Sequence, residues 1–153
     1  MAAGKWKVYE YAKEYLSDGT HDLDNASLGY QMALFLSTSN ADTLSVGTGV
    51  YGDLTNEHAN ANGYTTGGID AQVTWAETTG TATATGTKVV WTCVTAPMGP
   101  FEWAVLYNDT QTSPADPLVC WWDYGSALTL QIGETFSVKF NSSDTTGSIF
   151  TLA

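Results

Sequence analysis

Two histidines, His21 and His58, and two cysteines, Cys93 and Cys120, are the whole imidazole and thiol inventory of this 153-residue chain. Either histidine could act as base to a serine nucleophile, but no G-x-S-x-G turn or comparable signature presents one. As zinc ligands the four lie far apart, with neither C-x-x-C nor H-E-x-x-H spacing. Glu57-His58 reads instead as loop surface. Asp18, Asp22 and Asp24, with Asn25 beside them, could gather oxygens around calcium. They lack the EF-hand order and its closing Glu, so they read as an acidic turn that caps its neighbours. Sixteen acids could supply the carboxylate pair of a glycosidase, yet nothing selects a pair. GTGVYG at 47–52 has no following Lys and does not make a phosphate loop. The expectation is a chain that is not an enzyme, with no catalytic residue, no metal site and no cofactor.

Charge narrows the partners. The formal net charge is −11, from five lysines and no arginine against sixteen acids. Nucleic acid calls for a basic surface and favours Arg, and anionic membranes call for cations as well, so neither is expected as a partner. No run approaches the roughly 18 apolar residues of a membrane span, and MAAGKWKVYEY lacks the apolar core of a signal peptide. Only 14% of residues are charged, below the usual quarter or so, and Thr, Ser, Asn and Gly fill the gap. Three of the five lysines fall in the first 13 residues. They read either as solvated lysines on a short amphipathic segment or as an arm that docks on an acidic neighbour.

The elements that must position these residues are mostly strands. Residues 5–16, KWKVYEYAKEYL, carry a helical spacing ended by Ser17, Asp18 and Gly19, although WKVYEY also reads as extended. LGYQMALFLS, 28–37, reads as a strand buried on both faces, because Phe35 breaks the polarity of its second side. Residues 38–68 read as a long loop with a short helical turn near Leu54–Ala59; loops of that length in compact domains are functional or belong to interfaces. From Ile69 the strands resume. Ala71, Val73 and Trp75 share a face, Thr fills every odd position from 79 to 87, and Gly80 and Gly86 read as a turn and a bulge. PMGP, 97–100, reads as a turn, and FEWAVLYN places Phe101, Trp103, Val105 and Tyr107 on one face. PLVCWWDYG and LTLQIG read as two strands, ETFSVKF as a third with Phe136, Val138 and Phe140 inward, and SIFTL as the last, after an NSSDTTG loop. The whole reads as one domain: an arm or short helix over 1–20, then an antiparallel β-sandwich, jelly-roll-like, over 21–153. Cys93 and Cys120 are expected as buried free thiols, with a cross-strand bridge left open.

Six tryptophans and eight tyrosines are the strongest candidates for contact. Trp75, Trp91 and Trp103 sit in core registers. Trp121 and Trp122 are adjacent, so on a regular strand they face opposite ways, one to the core and one to solvent or a partner. Exposed rings anchor protein interfaces or stack on sugars. The candidate partner-binding residues are therefore Lys5, Trp6 and Lys7 of the arm, Tyr51 and Tyr64 of the long loop, and Trp121, Trp122 and Tyr124.

AVLYND (104–109), DPLVCWWDYG (116–125), ETFSVKF (134–140) and GSIFTL (147–152) together resemble small β-rich structural proteins of tailed bacteriophages. KWKVYEYAKEYL and GYTTGG (63–68) fit the same likeness. The resemblance implies a capsid cement or decoration protein, made in the host cytoplasm and carried on the outer surface of the virion. Such proteins commonly stand as homotrimers at local three-fold positions and clamp neighbouring major capsid protein subunits. It implies no catalytic residue. Two other readings stay open: a tail or neck adaptor, and a carbohydrate- or receptor-binding sandwich.

Overall fold

The computed structural model describes residues 6–24, 29–43, 49–140 and 146–153. In chain order the elements are β1 (Lys7–Val8), α1 (Glu10–Ser17), β2 (Tyr30–Phe35), a 3-10 turn at Tyr51–Asp53, β3 (Ile69–Asp70), β4 (Thr74–Thr78), β5 (Thr81–Thr87), β6 (Val89–Thr92), β7 (Met98–Asn108), β8 (Leu118–Leu130), β9 (Thr135–Val138) and β10 (Thr146–Leu152). They form a five-stranded sheet in the order β1-β8-β7-β2-β3, a three-stranded sheet β10-β5-β4 and a two-stranded ribbon β6-β9. Every strand pair is antiparallel. The fold is mainly β and sandwich-like, as the period-2 alternation predicts.

The main core lies between the large sheet and the two small ones. Met32, Leu34 and Leu106 come from the large sheet; Ala84, Val89, Trp91, Phe136 and Val138 face them from the other side. The large sheet's opposite face is also covered. Ala33, Phe35, Trp103, Val105 and Trp121 pack there against Tyr9 and Ala12 of the N-terminal segment and Ala41 of the long loop. The loop and helix therefore act as a third layer. That is why β2 is apolar on both sides: Met32 and Leu34 enter one core, Ala33 and Phe35 the other.

Several local readings change. Of the two readings of the first segment, the extended one holds before Glu10, where Lys7 and Val8 pair with Trp121 and Cys120 as an edge strand, and the helix runs from Glu10. Lys7 and Val8 are thus built into the sheet. The expected turn at Leu54–Ala59 is replaced by the 3-10 turn at Tyr51–Asp53, and Glu57 forms a bridge with Phe35. PMGP contributes to β7 instead of turning. PLVCWWDYG and LTLQIG form one strand, with an irregularity rather than a break: the ladder pairs Phe101 with Leu128 but Trp103 with Asp123. The same slip sends Phe101 to the main core while Trp103, Val105 and Tyr107 face the second. Gly86 is not a bulge; a side chain there would collide with the ring of Phe140. Both cysteines are buried free thiols. Lys5, Asn25, the 44–48 part of the long loop and most of NSSDTTG lie outside the described residues.

Candidate functional site

The sequence candidates fall into three groups: Trp6 with Trp122 and Tyr124, Lys7 with Trp121, and Tyr51 with Tyr64. Trp6 is half-buried, stacks on Phe140 with ring centroids 5.0 Å apart and lies 6.4 Å from Trp122. Lys7 is exposed, and its ammonium stands 4.5 Å over the ring of Trp121, a cation–π contact. Trp121 itself is only 8% exposed and meets Trp103 edge-on at 5.5 Å. Trp122 does face the other way, as strand geometry requires, but it is half-buried against the main core beside Tyr124. Tyr64 is 2% exposed and belongs to that core. Lys5 lies outside the described residues.

Tyr64 and Trp121 are therefore not exposed anchors, whereas Trp6, Tyr51, Trp122 and Tyr124 keep part of their surface open. Every Trp, Tyr and Phe is buried or half-buried. The physical reason is mutual packing: rings gain more from one another in offset and edge contacts than from standing alone in water. The residues left exposed are aliphatic. Val90 (40%), Val94 (55%) and Ile132 (61%) lie on or beside the ribbon β6-β9, with Ile69 and Leu152 elsewhere.

The polar focus of the chain is one that its sequence did not advertise. Glu57 accepts hydrogen bonds from the Tyr51 hydroxyl, from the Tyr64 hydroxyl at 2.6 Å and from Gly67 N–H at 2.7 Å. Tyr64 also accepts from Leu34 N–H at 3.0 Å, which ties the node to β2. Tyr51 stacks on Tyr107 at 4.3 Å, and the Tyr107 hydroxyl donates to Gly67 O at 2.8 Å. Next to it, Gly68 holds φ +87°, and a Cβ there would collide with Met32 O, so only Gly lets the loop press this close to β2. The node fastens the loop to β2. His58, read from sequence as loop surface, is 6% exposed, with its Nδ1 2.8 Å from Ala59 O and its ring edge-on to Tyr64. The signal available in the sequence was the loop's want of charge together with the tyrosines at 51 and 64.

His21 is also interior, 4% exposed. Its Nε2 lies 3.0 Å from Leu118 O, which can only accept, so that nitrogen carries the proton; Nδ1 has no partner. Burial drives its pKa down to about 4, against smaller upward pulls from the Leu118 carbonyl and Asp18. A depressed folded pKa favours the native state above the unfolded value near 6.5, and that stability is lost as pH falls through about 4. The full span is worth about 3 kcal/mol. Urea unfolding at pH 7 and at pH 4 should differ by that order, and His21→Phe should flatten the difference. Equal slopes in the two proteins would show that His21 is not the group involved.

Among the described residues no three His, Cys, Asp or Glu are grouped so as to hold a metal ion. Asp18 holds its own turn, accepting from Thr20 N–H at 2.9 Å, in keeping with a capping role. No helix among the described residues is long and apolar enough to cross a membrane.

The surface that does stand out is the outer side of the three-stranded sheet. The register places Thr74, Ala76 and Thr78 of β4 beside Thr85, Thr83 and Thr81 of β5. Thr146, Ser148 and Thr151 of β10 continue the same face. It carries no charge, and Thr74 and Thr85 hydroxyls meet at 2.8 Å. Such a face is a hydroxyl- and methyl-bearing plane on a chain of net charge −11. No protein-family profile, curated protein or solved structure matches this chain.

Proposed function

We propose that the chain is a virion structural protein, a capsid cement or decoration protein of a tailed phage. It binds the outer surface of the major capsid shell and stabilises it by non-covalent bridging. The observation that carries this reading is the uncharged outer face of the β10-β5-β4 sheet on an otherwise strongly acidic chain. An adhesive protein with that charge has to make its contacts where repulsion is least, and there it offers Thr methyls and hydroxyls. The exposed aliphatics Val90, Val94 and Ile132 add a second uncharged strip. The contact residues of the reading therefore move from the rings to these surfaces. Trp6, Tyr51 and Tyr124 are half-buried, and Lys7 remains exposed as a local cation. The sequence likeness to small phage structural proteins supports the same reading.

The test is a comparison of particles with and without the chain. Shells that carry it should survive heating that bursts shells lacking it, and the chain should be present in hundreds of copies per particle. Unchanged heat resistance would overturn the reading, and six or twelve copies would favour a tail or neck adaptor. One observation favours a carbohydrate-binding reading instead: a shallow groove of about 480 Å³ lined by Tyr124, Leu128 and Phe136 among others. A saturable change of tryptophan fluorescence on sugar titration would support it.

A further inference from the structure

We propose that β4 is a self-association edge, along which two copies of this chain pair antiparallel about a two-fold axis at Ala76. The two three-stranded sheets then become one sheet of six strands.

The edge is bare. β4 ends its sheet, four of its five residues are exposed, and its ladder runs to β5 alone. It is also undefended. Natural edges are blunted by proline, lysine, bulges or a covering loop. β4, with the sequence TWAET, has no proline or lysine, and its register with β5 is unbroken. Its one charge, Glu77, is folded back on its own hairpin, where it accepts from Gly80 N–H at 2.6 Å.

The hairpin fixes which backbone groups are free. Thr79 and Gly80 form a two-residue turn with φ of 52° and 85°, the primed type that suits a twisted ribbon. Such a turn closes on a hydrogen-bonded pair, here Thr78 with Thr81, and the bonded pairs then alternate to Ala76–Thr83 and Thr74–Thr85. The N–H and C=O groups of Trp75 and Glu77 therefore point off the edge. A two-fold axis at Ala76 sets Trp75 against Glu77 of the second copy, and Glu77 against its Trp75. Each outward donor then meets an outward acceptor.

The side chains agree with that register. Thr74 stands opposite Thr78 of the second copy, a favourable β-branched pair, and Ala76 opposite Ala76. No like charges are directly opposed, and the uncharged threonine face runs on across the junction. Another protein could use a bare edge, but the match of this strand to its own reverse singles out a second copy. The contact is small. Five residues span about 17 Å, less than a stable complex with about 800 Å² per partner requires. Pairing is therefore reversible and depends on concentration.

The test is sedimentation of the purified full chain over a series of concentrations, with no shell present, so its outcome is independent of the proposed virion role. The mass should rise from one copy toward two. Ala76→Lys and Ala76→Glu, at an exposed position, should each place like charges on the axis and weaken pairing at least about tenfold, with unchanged circular dichroism. An equimolar mixture of the two variants should restore the two-copy species. A wild-type chain that stays single, a three-copy mass, or Ala76→Lys that pairs as well as wild type would each overturn the proposal.

Discussion

Carried above about pH 10, the folded chain should lose its structure in one cooperative step. Tyr9, Tyr30 and Tyr64 are at most 4% exposed. Burial is the main force that pushes each phenol far above its usual value of 10.0, and Asp22 adds to it at Tyr30 and Glu57 at Tyr64. Tyr9 is further held as a donor to Ala41 O at 2.7 Å. A group whose folded pKa is raised stabilises the native state fully below its unfolded pKa, and the stability drains away as pH climbs beyond it. Three sealed phenols that cannot ionise in place all draw on the roughly 5–15 kcal/mol that keeps a domain folded. Phenolate absorbance and far-ultraviolet circular dichroism, followed through one titration, should change together. Phenols that ionise near pH 10 while the strands persist would show that the rings are not sealed.

Replacement of Glu57 by Ala should be the most damaging single polar change. It removes the acceptor of two phenols and one backbone N–H. Hydrogen bonds to a charged group contribute about 1.5–3 kcal/mol each, and they do not add within one network, so the expected loss is about 3 kcal/mol. For a chain of this size that is about 6–12 °C in melting temperature. Glu57→Gln keeps an acceptor and should cost less than half as much. Calorimetry on both variants checks the ranking. A loss below about 0.5 kcal/mol for Glu57→Ala would mean that the loop is fastened by its apolar contacts alone.

The alternation of β2, the Thr ladder of β5 and the inward Phe136, Val138 and Phe140 were legible because each is a local rule of period two. So was the opposition of Trp121 and Trp122. The partner of the extended arm was hidden by distance. Lys5, Trp6 and Lys7 look like a cationic handle when β8 is unseen, yet Lys7 and Val8 complete a sheet whose partner strand lies more than a hundred residues away. Continuity of β8 was hidden by Gly125, which breaks the pattern while the strand continues through it. The role of Glu57 was hidden too, since a carboxylate in a loop next to His carries no spacing that predicts two tyrosines converging on it. The number of rings signalled contact, and much of that contact is with one another.

The pairing of β1 with β8 has a consequence for biogenesis. Synthesis runs from the amino end, so Lys7 and Val8 leave the ribosome long before Cys120 and Trp121 exist to receive them. Tyr9 and Ala12 wait equally for the indoles of Trp103 and Trp121. The nascent chain therefore cannot settle progressively as it emerges; closure of its outer layer is postponed until most of the polypeptide is made. Slow maturation and a period of vulnerability to chaperones and proteases follow from that topology.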